Sequence, residues 1–153
     1  MDKKDILKKV IEALEKEIHN LKESVGTIHR TAVEAPGAME SHSDTTKSQM
    51  QSLEAKTSED VFSKEHELKT LRRFIPSDAG EKIEIGSLFE VEERGKRSTF
   101  FLLEGGAGIK IGECTVITPR APLGRAFLGK KKGEKIIVEL PSGIREYRIR
   151  NIF

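Results

Sequence analysis

Ile6-Leu7-Lys8-Lys9-Val10-Ile11-Glu12-Ala13-Leu14-Glu15-Lys16-Glu17-Ile18-His19-Asn20-Leu21 sets the architecture of the chain's first half. Ile6, Val10, Leu14, Ile18 and Leu21 recur at steps of three or four, and Val25, Ile28 and Ala32 continue the series. That spacing lays one apolar stripe along a helix whose other faces are Lys, Glu, Asp and His. Glu12 and Lys16 form a favourable i, i+4 pair worth a few tenths of a kcal/mol. The helix is expected to stop at Pro36-Gly37, because proline lacks the N–H that continues the ladder and disfavours helix in the residue before it. A second, weaker stripe runs through Met50, Leu53, Thr57, Val61, Leu68, Leu71 and Ile75, with Phe62 beside it and polar interruptions at Thr57 and Lys64. Neither helix is stable alone in water, so the two are expected to fold back as an antiparallel coiled-coil hairpin over residues 1–75. Its tip falls at about residues 36–44, and arms of about 30 residues are about 45 Å long. Pairing of two chains along the same stripes, as a dimeric adaptor, is the competing use of this pattern.

Working outward, glycine divides the chain. Of 13 glycines, only Gly26 and Gly37 precede residue 75, and the rest begin at Gly80. Ile75-Pro76-Ser77-Asp78-Ala79-Gly80 therefore reads as a boundary between helices and turn-rich strands. The strands are expected at Ile83–Ile85, Leu88–Val91, Thr99–Leu103, Cys114–Ile117, Lys135–Leu140 and Glu146–Ile152, with one short helix at Pro122–Gly129. The fold class is α+β, with residues 76–153 as a small antiparallel sheet domain. Across 153 residues, 36% hydrophobic and 34% charged composition agrees with a chain that buries only a stripe over much of its length. The single cysteine, Cys114, allows no intramolecular disulfide and reads as a buried small hydrophobe. No apolar run approaches a membrane span and no signal-peptide core follows Met1, so a cytoplasmic protein without a membrane partner is expected. A net charge of +2 excludes a polyanion binder by bulk composition.

Two further stretches carry a family signature. Ile117-Thr118-Pro119-Arg120-Ala121-Pro122-Leu123-Gly124-Arg125-Ala126-Phe127-Leu128-Gly129-Lys130-Lys131-Lys132-Gly133-Glu134 is followed by Glu139-Leu140-Pro141-Ser142-Gly143-Ile144-Arg145-Glu146-Tyr147-Arg148-Ile149. Together they resemble the C-terminal domain of the bacterial Gre transcription elongation and transcript-cleavage factors, whose pattern is Pro-[Ile/Leu]-[Gly/Ala]-Arg-x-[Leu/Phe]-[Leu/Ile]-Gly-Lys-x-x-Gly-[Asp/Glu] and then a hairpin. The resemblance implies an FKBP-like C-terminal domain that docks on the rim of the RNA polymerase secondary channel. It also implies a coiled coil that enters the channel and brings acidic tip residues to the polymerase active site, so that the polymerase cuts back-tracked RNA. On that reading the chain is not itself an enzyme, binds no cofactor stably, and meets nascent RNA or DNA only within the polymerase complex. Arg120, Pro122, Leu123 and Arg125 are then the polymerase-docking residues.

The tip departs from the family. Where the family has Asp-x-x-Glu, this chain has Asp44-Thr45-Thr46-Lys47. Asp44 matches the first acid, Lys47 replaces the second, and Glu40 is the substitute carboxylate, with Glu34 a third candidate. Asp44 and Glu40 are the residues implied to reach the polymerase Mg²⁺, a hard cation that takes carboxylate oxygens. Ser43 and Asp44 also suit a helix N-cap. Elsewhere, Ser41, His42 and Asp44 lack triad geometry by adjacency alone, and His19, His29, His42 and His66 have no metal-binding spacing. Residues 120–153 carry nine Lys or Arg against three Glu, a local charge of +6 that suits an acidic partner surface. With no Trp and one Tyr, base stacking on single strands is disfavoured. Two alternatives stay open at this level: a channel-binding regulator without cleavage activity, and an FKBP-like peptidyl-prolyl isomerase, which needs an aromatic-lined pocket.

Overall fold

The computed structural model describes residues 2–34 and 43–153, with side chains for 2–27 and 48–153. Two long helices come first, α1 (Lys3–Glu34) and α2 (Ser43–Arg73). Strands β1 (Leu88–Glu93), β2 (Lys96–Leu102), β3 (Lys110–Ile111) and β4 (Cys114–Ile117) follow, then the short helix α3 (Pro122–Phe127), β5 (Lys135–Leu140) and β6 (Gly143–Ile152). The chain is α+β, as its periodicities predict. It divides into two compact units, one made of residues 1–14 and 67–153 and the other of residues 15–66.

In the unit of residues 15–66, α1 and α2 lie side by side. Glu17 Oε1 accepts the Lys64 ammonium at 3.0 Å, and Lys22 pairs with Glu65. The α2 seam differs from the expected stripe. Met50, Glu54, Thr57, Val61, Lys64, Leu68 and Leu71 are half-buried or buried at alternating steps of four and three, with Glu67 and Thr70 half-buried beside the last turns, while Leu53 is 51% exposed. The steps average 3.5 residues, the coiled-coil repeat, so the seam passes through Glu54 and leaves Leu53 outside. Polar residues in this seam make α2 the weaker partner, and charge pairs take over part of the packing.

In the other unit, one six-stranded sheet runs in the order β3-β4-β2-β1-β6-β5. Every adjacent pair is antiparallel except β2 with β4, which is parallel, a detail absent from the all-antiparallel expectation. The Arg94-Gly95 turn closes β1 on β2. Ile83–Ile85 is not a strand. Its backbone instead bonds the segment after α3, with Ile83 N–H donating to Lys130 at 2.8 Å and Gly129 N–H donating to Ile83 at 2.7 Å. Both faces of the sheet carry core residues. Phe89, Val91, Leu102, Ile136, Val138, Tyr147 and Ile149 surround Phe127 of α3 on one side. Ile6, Leu7, Val10, Leu14 and Leu71 of the helix segments in this unit are buried, and Ile6 lines one small cavity with Leu88 and Cys114 of the sheet. At about 1.5–3 kcal/mol per buried aliphatic side chain, these five contribute on the order of 10 kcal/mol of gross stabilisation. Ile75, read as the end of the second stripe, lies beyond α2 and is 82% exposed, whereas Phe74 packs over Gly86.

Candidate functional site

The expected docking residues gather around α3. Proline at the first helical position starts it, and Arg125 N–H closes the first turn on the Ala121 carbonyl at 3.0 Å. Ala121 supplies no side-chain cap, so the preceding turn does that work, with Ala121 N–H donating to the Thr118 carbonyl at 3.1 Å. Gly124 is required by this packing. A Cβ at that position would stand 1.9 Å from the Thr118 oxygen, so in this chain glycine lets the helix lie closer to its entry turn than the alanine the family pattern also allows. Gly129, at φ +80°, then ends the segment in the left-handed region that favours glycine.

Phe127 fixes how α3 is oriented. It is fully buried, with its ring centroid 5.1 Å from Phe89, 5.9 Å from Phe100 and, edge-on, 5.6 Å from Tyr147. With Phe127 held inside, Arg120, Pro122 and Arg125 are exposed. Leu123 is placed differently from the other three: it is half-buried and packs against the core, so it supports the surface more than it forms it. The same geometry bears on the prolyl isomerase alternative, since Phe89, Phe100, Phe127 and Tyr147 are consumed by contacts with one another. The residues sequence reading missed here are Phe127 as the anchor and Ile83 as the backbone clamp. Phe127 was visible as the one aromatic in a glycine-bounded hexapeptide; Ile83 had no signal, because a single alternating triplet looks like a strand.

The local charge of +6 is unevenly distributed. Arg145 pairs with Glu93 at 3.3 Å, Arg150 pairs with Glu92 at 2.8 Å, and Lys135 pairs with Glu146 at 3.4 Å. Arg120, Arg125 and Lys130–Lys132 remain exposed around α3 and the loop after it, which concentrates positive charge beside Pro122. Such a surface is complementary to an acidic one.

Of the tip candidates, Glu40 lies outside the described residues. Asp44 and Lys47 fall in the first turns of α2, one helical turn apart, and their side chains, with that of Glu34, are outside the described set. Among the described residues, no group of three His, Cys, Asp or Glu side chains is arranged to hold a metal.

Comparison with known proteins bears directly on the α3 region. Residues 78–152 match the family described as transcription elongation factor GreA/GreB, C-terminal domain. Residues 78–152 are a GreA/GreB C-terminal domain. The transcription elongation factor GreA of Thioalkalivibrio sulfidiphilus is 33% identical over 75 residues, covering 47% of this chain and 46% of that protein. GreA of Verminephrobacter eiseniae is 35% identical over 75 residues, with the same shares. The chain spans about half the length of the curated relatives it matches. Among solved structures, the GreA factor homolog 1 (Gfh1) protein of Thermus thermophilus is 20% identical with a TM-score of 0.43, over 96% of this chain and 94% of that one. No helix among the described residues is long and apolar enough to cross a membrane.

Proposed function

We propose that this chain is a Gre-type factor that binds RNA polymerase through the α3 surface of its C-terminal domain and modulates elongation through its helical hairpin, acting at the secondary channel. The observation that carries the proposal is the GreA/GreB C-terminal match over residues 78–152, in a domain whose exposed face holds Arg120, Pro122 and Arg125. A basic, proline-started helix end of this kind suits docking on an acidic protein surface, with long-range attraction setting the encounter rate.

What the hairpin does there depends on residues 40–47. Two carboxylates at the i and i+3 positions of a helix start would suit Mg²⁺, which takes hard oxygen ligands. This sequence offers Asp44 with the Lys47 ammonium at the second position. The cation repels a metal and donates no lone pair, so the donor set fits a second Mg²⁺ poorly. The reading adopted is an elongation regulator acting in trans, without efficient stimulation of RNA cleavage. Stalled elongation complexes test it: wild type is expected to change elongation while releasing little short RNA product. Lys47→Glu, which restores the acid, is expected to increase that product, and Asp44→Ala or Glu40→Ala in that background to abolish it. Robust cleavage by wild type, lost in Asp44→Ala or Glu40→Ala, would instead establish a cleavage factor with an altered tip.

A further inference from the structure

We infer that β5 is a self-pairing edge through which two copies of this chain join their sheets across a two-fold axis. β5 ends the six-strand order, so one side of it has no strand partner among the described residues. The register identifies the groups on that side. Leu140 pairs with Gly143 across the two-residue Pro141-Ser142 turn, and Ile149 N–H donates to the Glu134 carbonyl at 3.0 Å. Hydrogen-bonded pairs alternate along an antiparallel ladder, so the even-numbered residues of β5 bond inward to β6. Lys135, Ile137 and Glu139 therefore direct their backbone N–H and C=O groups to the open edge. An unpaired row of this kind is a template for another strand.

The side chains select the occupant. Ile136 and Val138 face the core, and Lys135, Ile137 and Glu139 share the opposite, exposed face, with Ile137 70% exposed. Read in reverse, Lys-x-Ile-x-Glu is its own electrostatic complement. An antiparallel partner centred on Ile137 sets Ile137 against Ile137 and Lys135 against Glu139, twice by symmetry. Each of these three pairings exchanges two main-chain hydrogen bonds. Ile144, 69% exposed, lies diagonal to Ile137 on β6, where Glu139 is opposite Ile144 and Glu146 opposite Ile137. The dimer thus sets four isoleucines, two from each copy, side by side in a diagonal row on the outer face, with Ile137 packed against Ile137 of the second copy. Within its own chain Lys135 meets Glu146 at 3.4 Å, an exposed pair of little worth. No proline interrupts residues 135–140 to block the edge.

Sedimentation velocity of the full chain over about 5–500 µM tests this, the range reflecting the weak affinity of a small interface. Wild type is expected to shift from monomer to dimer with concentration. Lys135→Glu and Glu139→Lys, each placing two like-charge pairs across the axis, are expected to weaken association at least about tenfold. An equimolar mixture of the two variants is expected to recover dimer. In the mixed pair the acid introduced at position 135 of one variant meets the base introduced at position 139 of the other, and the native Lys135 and Glu139 meet as before. A folding defect cannot produce that recovery. A wild type that stays monomeric throughout overturns the inference. So does a dimer insensitive to both substitutions, which would place the contact elsewhere, for example along the helix stripes. Single variants that weaken the dimer without recovery on mixing overturn the proposed register.

Discussion

Gly124→Ala is the substitution whose outcome the packing of α3 determines most sharply. The added Cβ would sit 1.9 Å from the Thr118 oxygen and 2.6 Å from its carbonyl carbon, against an ordinary contact of 3.4 Å or more. The shortfall is about 1.5 Å, and both obstacles are backbone atoms that no rotamer change can move. Opposing this, alanine gains up to about 1 kcal/mol in helix propensity over glycine. The clash wins, because relief requires α3 to lift from its entry turn. That motion withdraws Phe127 from Phe89 and Tyr147, and losing a buried aromatic costs about 3–5 kcal/mol. A net destabilisation of about 3 kcal/mol is expected. Urea unfolding followed by far-UV circular dichroism would read it as a midpoint lowered by about 1.5 M, for a slope near 2 kcal/mol per molar. A Gly124→Ala chain within about 0.5 kcal/mol of wild type would refute the reasoning.

Three other substitutions follow from the same structure. Gly26→Ala lies in α1 with open space where the Cβ would go, so it should stabilise by about 0.5–1 kcal/mol in the same unfolding assay. Glu67 Oε2 accepts the Gly106 N–H at 2.9 Å; Glu67→Ala strands that donor and should cost about 1–3 kcal/mol, while Glu67→Gln, which keeps an amide oxygen, should cost less than half as much by thermal melting. Burial pushes the Cys114 thiol up to about 11, so native protein should resist thiol reagents at pH 8 until unfolded. The unfolded thiol ionises first, so Cys114 lowers stability as pH rises from about 9 to 11 and has no effect below; Cys114→Ala should flatten that part of the profile in urea titrations.

Much of this fold was legible because it rests on local rules. The α1 stripe from Ile6 to Leu21 needs only a 3.6-residue period, and β4 and β5 appear as short β-branched runs between turn residues, so their limits match the structure. α2 is less legible, since its seam passes through Glu54 and leaves Leu53 exposed; a polar residue in a seam is invisible to a search for apolar positions. The parallel pairing of β2 with β4 and the two-residue β3 depend on contacts distant in sequence, which no local pattern encodes. At the candidate site, the Pro122–Gly129 motif located α3, and the glycine at 124 is explained only by the carbonyl of Thr118 approaching it. Leu123 looked like part of the exposed surface because its neighbours are; the buried Phe127 turns it inward.

The central claim is that this domain docks on RNA polymerase through the α3 surface. Titration of the full chain into purified core RNA polymerase, read by fluorescence anisotropy with an unlabelled Gre factor as competitor, tests it most directly. The account predicts saturable binding that the competitor displaces and that Arg120→Glu with Arg125→Glu weakens at least about tenfold, since a charge pair at a protein contact contributes about 1.5 kcal/mol or more. Absence of binding at micromolar concentrations, or binding untouched by both the competitor and the double substitution, would contradict it.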